Sequence, residues 1–343
     1  MIDIHSLAFA NSSPELSGVI RTYPEDFKVD EKFAFNPTGE GEHALLHIKK
    51  INTNTDWLTR QIAQVSGLRK VDISYAGLKD RNAVTTQWFS VWLPGKPDPD
   101  WSQLNSENVE VLTTCRHNRK LRRGSLSGNQ FTLIVRDVEG DASSLEQRMK
   151  VIKQDGVPNY FGEQRFGIDG QNLKKAEIMF GGKREKDRFK RGIYLSAARS
   201  AMFNDVLSQR VAMNKWADGI PGDVMLLDNS HSYFLATDID ETIIQRLKEH
   251  DIHPSGPLWG RGNLLTKGLV EELESILSSK YELFDIGLKN ARLDQDRRSL
   301  RLSVKNLQWN HDEKSKLLNL SFFLPAGGYA TSVLREIVIN KSK

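Results

Sequence analysis

A single cysteine, Cys115, stands in 343 residues. That excludes a disulfide framework and any metal site built on several cysteines. Cys115 lies in the strand-like run Val109–Cys115 and reads as a small core hydrophobe. No apolar run approaches the length of a membrane span, and Met1–Ser6 has neither a basic n-region nor an apolar h-region. The cytosol is therefore the simplest compartment, with no membrane partner. A phosphate-binding P-loop and a dinucleotide fingerprint are both missing. Gly39-Glu40-Gly41-Glu42 is acidic, has no following Lys, and reads as a turn. There is no internal repeat and no low-complexity tract. Nor is there a large excess of charge of one sign, the formal net charge being +4.

What is present is an ordinary globular composition, 38% hydrophobic and 27% charged, in a chain long enough for two domains. The positive charge is unevenly spread. Residues 116–123 carry five Lys or Arg in eight positions, and 183–191 form a second basic run. Such clusters suit the phosphates of a polyanion, or equally a solvated loop.

Hydrophobic periodicity predicts short strands at 18–22, 27–31, 43–49, 109–115 and 130–135. A helix begins near Thr55, capped by Asn54 or Thr55 and ended by Gly67. Further helices are expected over 144–153, 172–180, 196–213 and 266–277. Pro254, Gly256, Pro257, Gly260 and Gly262 mark an irregular segment. Alternation through Leu300, Leu302 and Val304, then Leu318 to Leu324, predicts a hairpin turning at 310–313, before a closing helix over 331–339. Strands, then helices, then strands indicate an α+β domain interrupted by an insertion.

His43 and His47 are four apart without an intervening Glu, on an expected strand where they lie too far apart to chelate one ion. The chemistry is sought instead in Ser74–Gln87. There Asp80 sits between Lys79 and Arg81 in a turn, ahead of the strand-like run 87–92. Nearby cations favour the carboxylate form, and an ionised, positioned Asp can act as a nucleophile. An Asp in a basic turn is also an ordinary turn-former.

Residues 75–87 resemble the signature of the TruD family of tRNA pseudouridine synthases, in which the Asp of Ala-Gly-Leu-Lys-Asp is the nucleophile. That Asp falls on Asp80. Three more stretches resemble family motifs in the same order: Pro24–Glu31, Gly156–Gly167 with Asn-Tyr-Phe-Gly-x-Gln-Arg-Phe-Gly, and Pro325–Glu336. The resemblance implies that both ends of the chain share one mostly antiparallel, mixed sheet. Residues 1–154 and 304–343 would form this catalytic domain, 155–303 a more helical α/β insertion, and the cleft between them would hold RNA.

The activity implied is isomerisation of uridine to pseudouridine in tRNA, at uridine 13, with no metal and no cofactor. Asp80 would attack the ribose anomeric carbon or assist a glycal intermediate. Arg21 is the candidate partner of Asp80. Phe27, Asn129 and Tyr329 match the substrate-contacting pattern, although many members carry Phe where this chain has Tyr329. Phe131, two residues beyond Asn129, would share its strand face and pack against the base. On residue type alone these rings would be core aromatics. Lys79, Arg119, Lys120, Arg122 and Arg123 are the expected RNA-backbone contacts. Arg165 would reach a phosphate or brace the domain junction. tRNA is the expected partner, with no obligatory protein partner, and a monomer is the default. Two rivals remain: a non-catalytic RNA-binding or RNA-folding protein on the same scaffold, and a glycoside hydrolase. The latter ordinarily needs two carboxylates flanking the bond.

Overall fold

A computed structural model of the chain describes residues 6–33, 35–122 and 125–341. Arg123 lies outside the described residues. The chain divides into two compact units. One comprises Glu15–Ser143, Val304–Gly328 and the segment from Val338; the other comprises Ser144–Ser303, Tyr329–Ile337 and the segment up to Pro14. Among the described residues no helix is long and apolar enough to cross a membrane.

The first unit is built on a ten-stranded sheet. Seven strands run edge to edge in the order Lys305–Asp312, Leu317–Pro325, Leu126–Gly140, Phe27–Phe33, Val84–Trp92, His43–Ile51 and Val109–His117. The strand Leu16–Ile20 pairs with Leu126–Gly140 and, in parallel, with Ile339–Asn340, so both ends of the chain share this sheet. Phe27–Phe33 against Val84–Trp92 is also parallel, while the other pairings are antiparallel. The helix Thr55–Ser66 starts at Asn54, whose side chain accepts the Asp56 N–H at 2.7 Å, and ends at Gly67 with φ 64°. Leu58 and Ile62 on this helix pack with Ala44, Leu46, Ile48, Phe89 and Val91 of the sheet.

The second unit has a four-stranded sheet, Tyr233–Ala236, Asp223–Leu227, Ile252–Leu258 and Asp296–Ser299, with helices around the 25-residue Arg188–Ala212. Ile252–Leu258 corrects the expectation of an irregular segment at Pro254 and Pro257. This strand changes partners along its length. Residues 252–254 pair with 225–227, and 255–258 pair with 296–299. A strand paired on one side at a time tolerates missing N–H donors. Arg188–Ala212 also begins earlier than its apolar pattern, because Asp187 caps it by accepting the Phe189 and Lys190 N–H groups.

The expected hairpin forms with its turn at 313–316, from Lys305–Asp312 and Leu317–Pro325. Leu302 does not join it; Arg301–Leu302 pairs with Val157–Pro158 instead. The closing helix stops at Arg335, and Ile339–Asn340 is a strand.

His250 fastens the same region of the second unit. Its Nε2 lies 2.8 Å from the Gln154 carbonyl and its Nδ1 2.8 Å from the Ser303 hydroxyl. A carbonyl only accepts, so Nε2 carries the proton. Burial, then the Arg301 charge, push this imidazole from 6.5 down to about 4. Below pH 6.5 the unfolded chain therefore binds a proton that the folded chain refuses until about pH 4. Stability is fully present above the unfolded value and falls as pH drops through this window. Urea midpoints measured across it should fall more steeply for wild type than for His250→Gln; parallel curves would contradict the assignment.

Candidate active site

The carboxylate of Asp80 is carried on the loop between the strands Ile73–Tyr75 and Val84–Trp92. Several bonds hold that loop to one face of the first unit's sheet. Gln87 donates its side-chain amide to the Gly77 carbonyl at 2.7 Å and accepts the Thr55 hydroxyl at 3.0 Å. The Thr55 hydroxyl in turn accepts the Lys79 N–H at 3.4 Å. The Lys79 ammonium pairs with the buried Glu31 carboxylate, whose other oxygen accepts the Trp88 N–H at 2.8 Å. Burial raises the Glu31 pKa, with Lys79 pulling it back down. Lys50, fully buried, donates to the carbonyls of Thr53 at 2.7 Å and Asp80 at 3.2 Å.

Arg21 reaches the Asp80 carboxylate from the other side, Nη2 to Oδ2 at 2.7 Å. It lies just past the strand Leu16–Ile20 rather than on it, with φ 59°. A non-glycine residue rarely takes this left-handed conformation. Here it accompanies a guanidinium resting 4.0 Å over the centre of the Phe27 ring. The Arg21 Nε–H is buried and meets no acceptor.

Phe27 follows the turn Pro24–Asp26, which is fixed by the ion pair of the buried Asp26 with the partly exposed Arg136. Asp26 accepts the Tyr23 N–H at 2.9 Å and the Arg136 guanidinium at 2.8–3.0 Å. Phe131 is buried between Phe27, edge to face at 6.2 Å, and Phe322, stacked at 5.5 Å. It therefore backs Phe27 from within the core. Asn129 stands directly across from Glu31, on the face that carries the Asp80 loop, and its buried side-chain oxygen has no donor. Gly128 lets the next strand approach: a Cβ there would lie 2.1 Å from the Leu324 carbonyl oxygen.

The structure thus sets the Arg21 guanidinium against both the Asp80 carboxylate and the Phe27 ring, and places Asn129 and Phe131 on the strand beside Phe27 in the same unit. Lys79 departs from expectation. Its side chain is 8% exposed and committed to Glu31, so its ammonium is not open to an RNA phosphate. Arg119, Lys120 and Arg122 are exposed, on a loop anchored by buried Leu121.

Tyr329 and Arg165 belong to the second unit. Arg165 donates to the Tyr329 hydroxyl at 2.6 Å and the Ser196 hydroxyl at 3.1 Å, so it braces its own unit and uses the oxygen that Phe would lack. Arg165 and Arg298 lie 5.6 and 4.2 Å from the centre of the Phe161 ring. Sequence reasoning missed Lys50, Glu31, Thr55 and Gln87 as parts of the site. Lys50 carried a signal, because it shares the strand phase of Ala44, Leu46 and Ile48, although Leu45 on the other phase is buried too.

The family model described as tRNA pseudouridine synthase D (TruD) matches residues 3–177 and 187–337. The tRNA pseudouridine synthase D of Nitrosococcus oceani is 49% identical over 97% of this chain and 93% of its own. That of Methylococcus capsulatus is 49% identical over 94% and 91%. A solved TruD structure from Methanosarcina mazei shares the fold at TM-score 0.74 and 22% identity, over 97% of this chain and 96% of that one. The class of protein so defined is the pseudouridine synthases, which are isomerases. Within it, the chain belongs to the TruD family.

The left-handed backbone at Arg21 is open to test. Arg21→Gly and Arg21→Ala remove the same contacts, but only glycine adopts that conformation freely. Arg21→Gly should be more stable by about 1 kcal/mol in urea unfolding. Equal midpoints would mean that residue 21 is not held at positive φ.

Proposed function

We propose that this TruD-family isomerase converts uridine 13 of tRNA to pseudouridine, with Asp80 as the reacting carboxylate. The observation that carries the reading is the 2.7 Å contact between the Arg21 guanidinium and an Asp80 side chain that stays 41% exposed. A carboxylate aimed by a fixed donor and still open on one side can meet a ribose carbon. The reaction breaks the bond from C1′ to N1 of uracil and forms one from C1′ to C5. The proton leaves C5, and N1 gains one, so no atom is added overall.

The other groups on this face fit a base lifted from the RNA. Phe27, expected to contact the base directly, is 3% exposed and covered by the Arg21 guanidinium, so it is read as the floor that sets Arg21 for the base, with Phe131 behind it. The unpaired oxygen of Asn129 can accept the N3–H of uracil, and the unpaired Arg21 Nε–H can donate to a ribose or uracil oxygen. Tyr329, which matches the family's substrate-contacting pattern, is read as a further substrate contact. Residues 155–303 are read as a domain inserted into the catalytic scaffold; the Val157–Pro158 and Arg301–Leu302 pairing closes the two ends of that segment against each other. The exposed cations Arg119, Lys120 and Arg122, with Arg123 beside them in sequence, are read as phosphate contacts, as is the run 183–191. A monomer working on tRNA in the cytoplasm completes the reading.

Tritium release from tRNA containing 5-tritiated uridine tests the chemistry. Wild type should release tritium and Asp80→Asn should not, while tRNA binding persists. Release by the mutant would remove Asp80 from the reaction, and mapping the modified nucleotide tests position 13. The basic loop is tested through salt. With Arg119, Lys120 and Arg122 all changed to Ala, the slope of log affinity against log salt should shrink by roughly 2–3. An unchanged slope would place the RNA elsewhere.

A further inference from the structure

Strand alternation drives Lys50 into the protein. Ala44, Leu46 and Ile48 are buried along His43–Ile51, and Lys50 continues that phase with no exposed surface. Its neighbour Lys49 faces out and pairs with Glu110 at 3.2 Å. A buried amino group is retained only where it finds acceptors. Lys50 has two, the carbonyl of Thr53 at 2.7 Å and that of Asp80 at 3.2 Å. Thr53 lies two residues before the helix Thr55–Ser66, and Asp80 carries the carboxylate that Arg21 grips. The bond goes to the main chain of Asp80, not to its carboxylate, so Lys50 acts through where the loop is held. Burial and the Lys79 charge push the Lys50 amine down to about 8, while Asp80 and Glu31 oppose the shift.

We propose that Lys50 is a positioning residue for the isomerisation, tying the Asp80 carbonyl to the Thr53 carbonyl and so setting where the Asp80 carboxylate stands beside Arg21. The inference rests on Asp80 being the reacting carboxylate. A lysine kept only for packing would be replaceable by an apolar chain of similar length, since removing a buried charge is often neutral or stabilising. A lysine that positions the loop would not be, because a displacement of about 1 Å at the reacting atoms costs about 100-fold in rate.

The test uses the full chain and compares wild type, Lys50→Met, Lys50→Gln and Asp80→Asn. Thermal unfolding, tRNA affinity and single-turnover tritium release are measured for each. Lys50→Met keeps the length and loses the donors. It should stay folded, bind tRNA like wild type, and release tritium about 100-fold more slowly. Lys50→Gln is one bond shorter and cannot span both carbonyls, so it should also lose at least about tenfold in rate at unchanged affinity. A wild-type rate in folded Lys50→Met overturns the proposal, as does a loss that merely tracks weaker tRNA binding. Should Lys50→Met fail to fold, Lys50→Gln decides: folded and slow supports the proposal, while unfolded or fully active overturns it. If Asp80→Asn is active, the reading of Asp80 falls and takes this inference with it, a result distinct from failure at Lys50 alone.

Discussion

Glu31, Lys79 and Lys50 are charged side chains held almost entirely out of water beneath one loop. Each ion loses several kcal/mol of hydration on burial, and only close partners return it. The partners are supplied by the chain around Asp80: Lys79 by its ammonium, Asp80 by its carbonyl. Were the loop to lift, Glu31 would be left buried opposite an absent cation. The loop is therefore held by the cost of releasing it, and this lets an Asp that is 41% exposed keep a defined place beside Arg21.

The same economy recurs at Phe27. Asp26 is buried and bound by Arg136 through both oxygens, which fixes the turn leading into the strand. Arg21 then rests on the ring at 4.0 Å in a backbone conformation that an L-residue rarely takes. Backbone strain of this kind persists only where surrounding contacts over-determine it. The ion pair to Asp80 and the cation–π contact to Phe27 are two such contacts. In the second unit, Arg165 and Tyr329 are bonded to one another, so a residue that could have pointed at a phosphate instead fixes the orientation of an aromatic ring.

Much of this was legible because some signals are local. Asn54, Gly67 and the helix between them follow from capping chemistry within fourteen residues of sequence. The Asp80 stretch is contiguous, so its resemblance to a family signature survives without any knowledge of the fold. Failures came where the deciding partner is distant. Pro254 and Pro257 read as strand breakers until the strand is seen to change neighbours midway. Lys79 reads as a cation for phosphate until Glu31, from another strand, claims it. Leu302 fits the alternation of a hairpin, yet pairs with Val157 because two distant segments of chain meet there.

Composition, periodicity and the motif around Asp80 by themselves determined the α+β character, most of the elements, the family and the candidate nucleophile, since each depends on residues close in sequence. Strand phase hints that Lys50 faces inward, but which charges find buried partners was decided by tertiary structure. Lys49 and Lys50 are adjacent and chemically identical, but successive side chains on a strand point to opposite faces of the sheet. At this end of the strand one face meets solvent and Glu110, while the other meets the core and the Asp80 loop. The fold gave one of these lysines to the surface and the other to the candidate site.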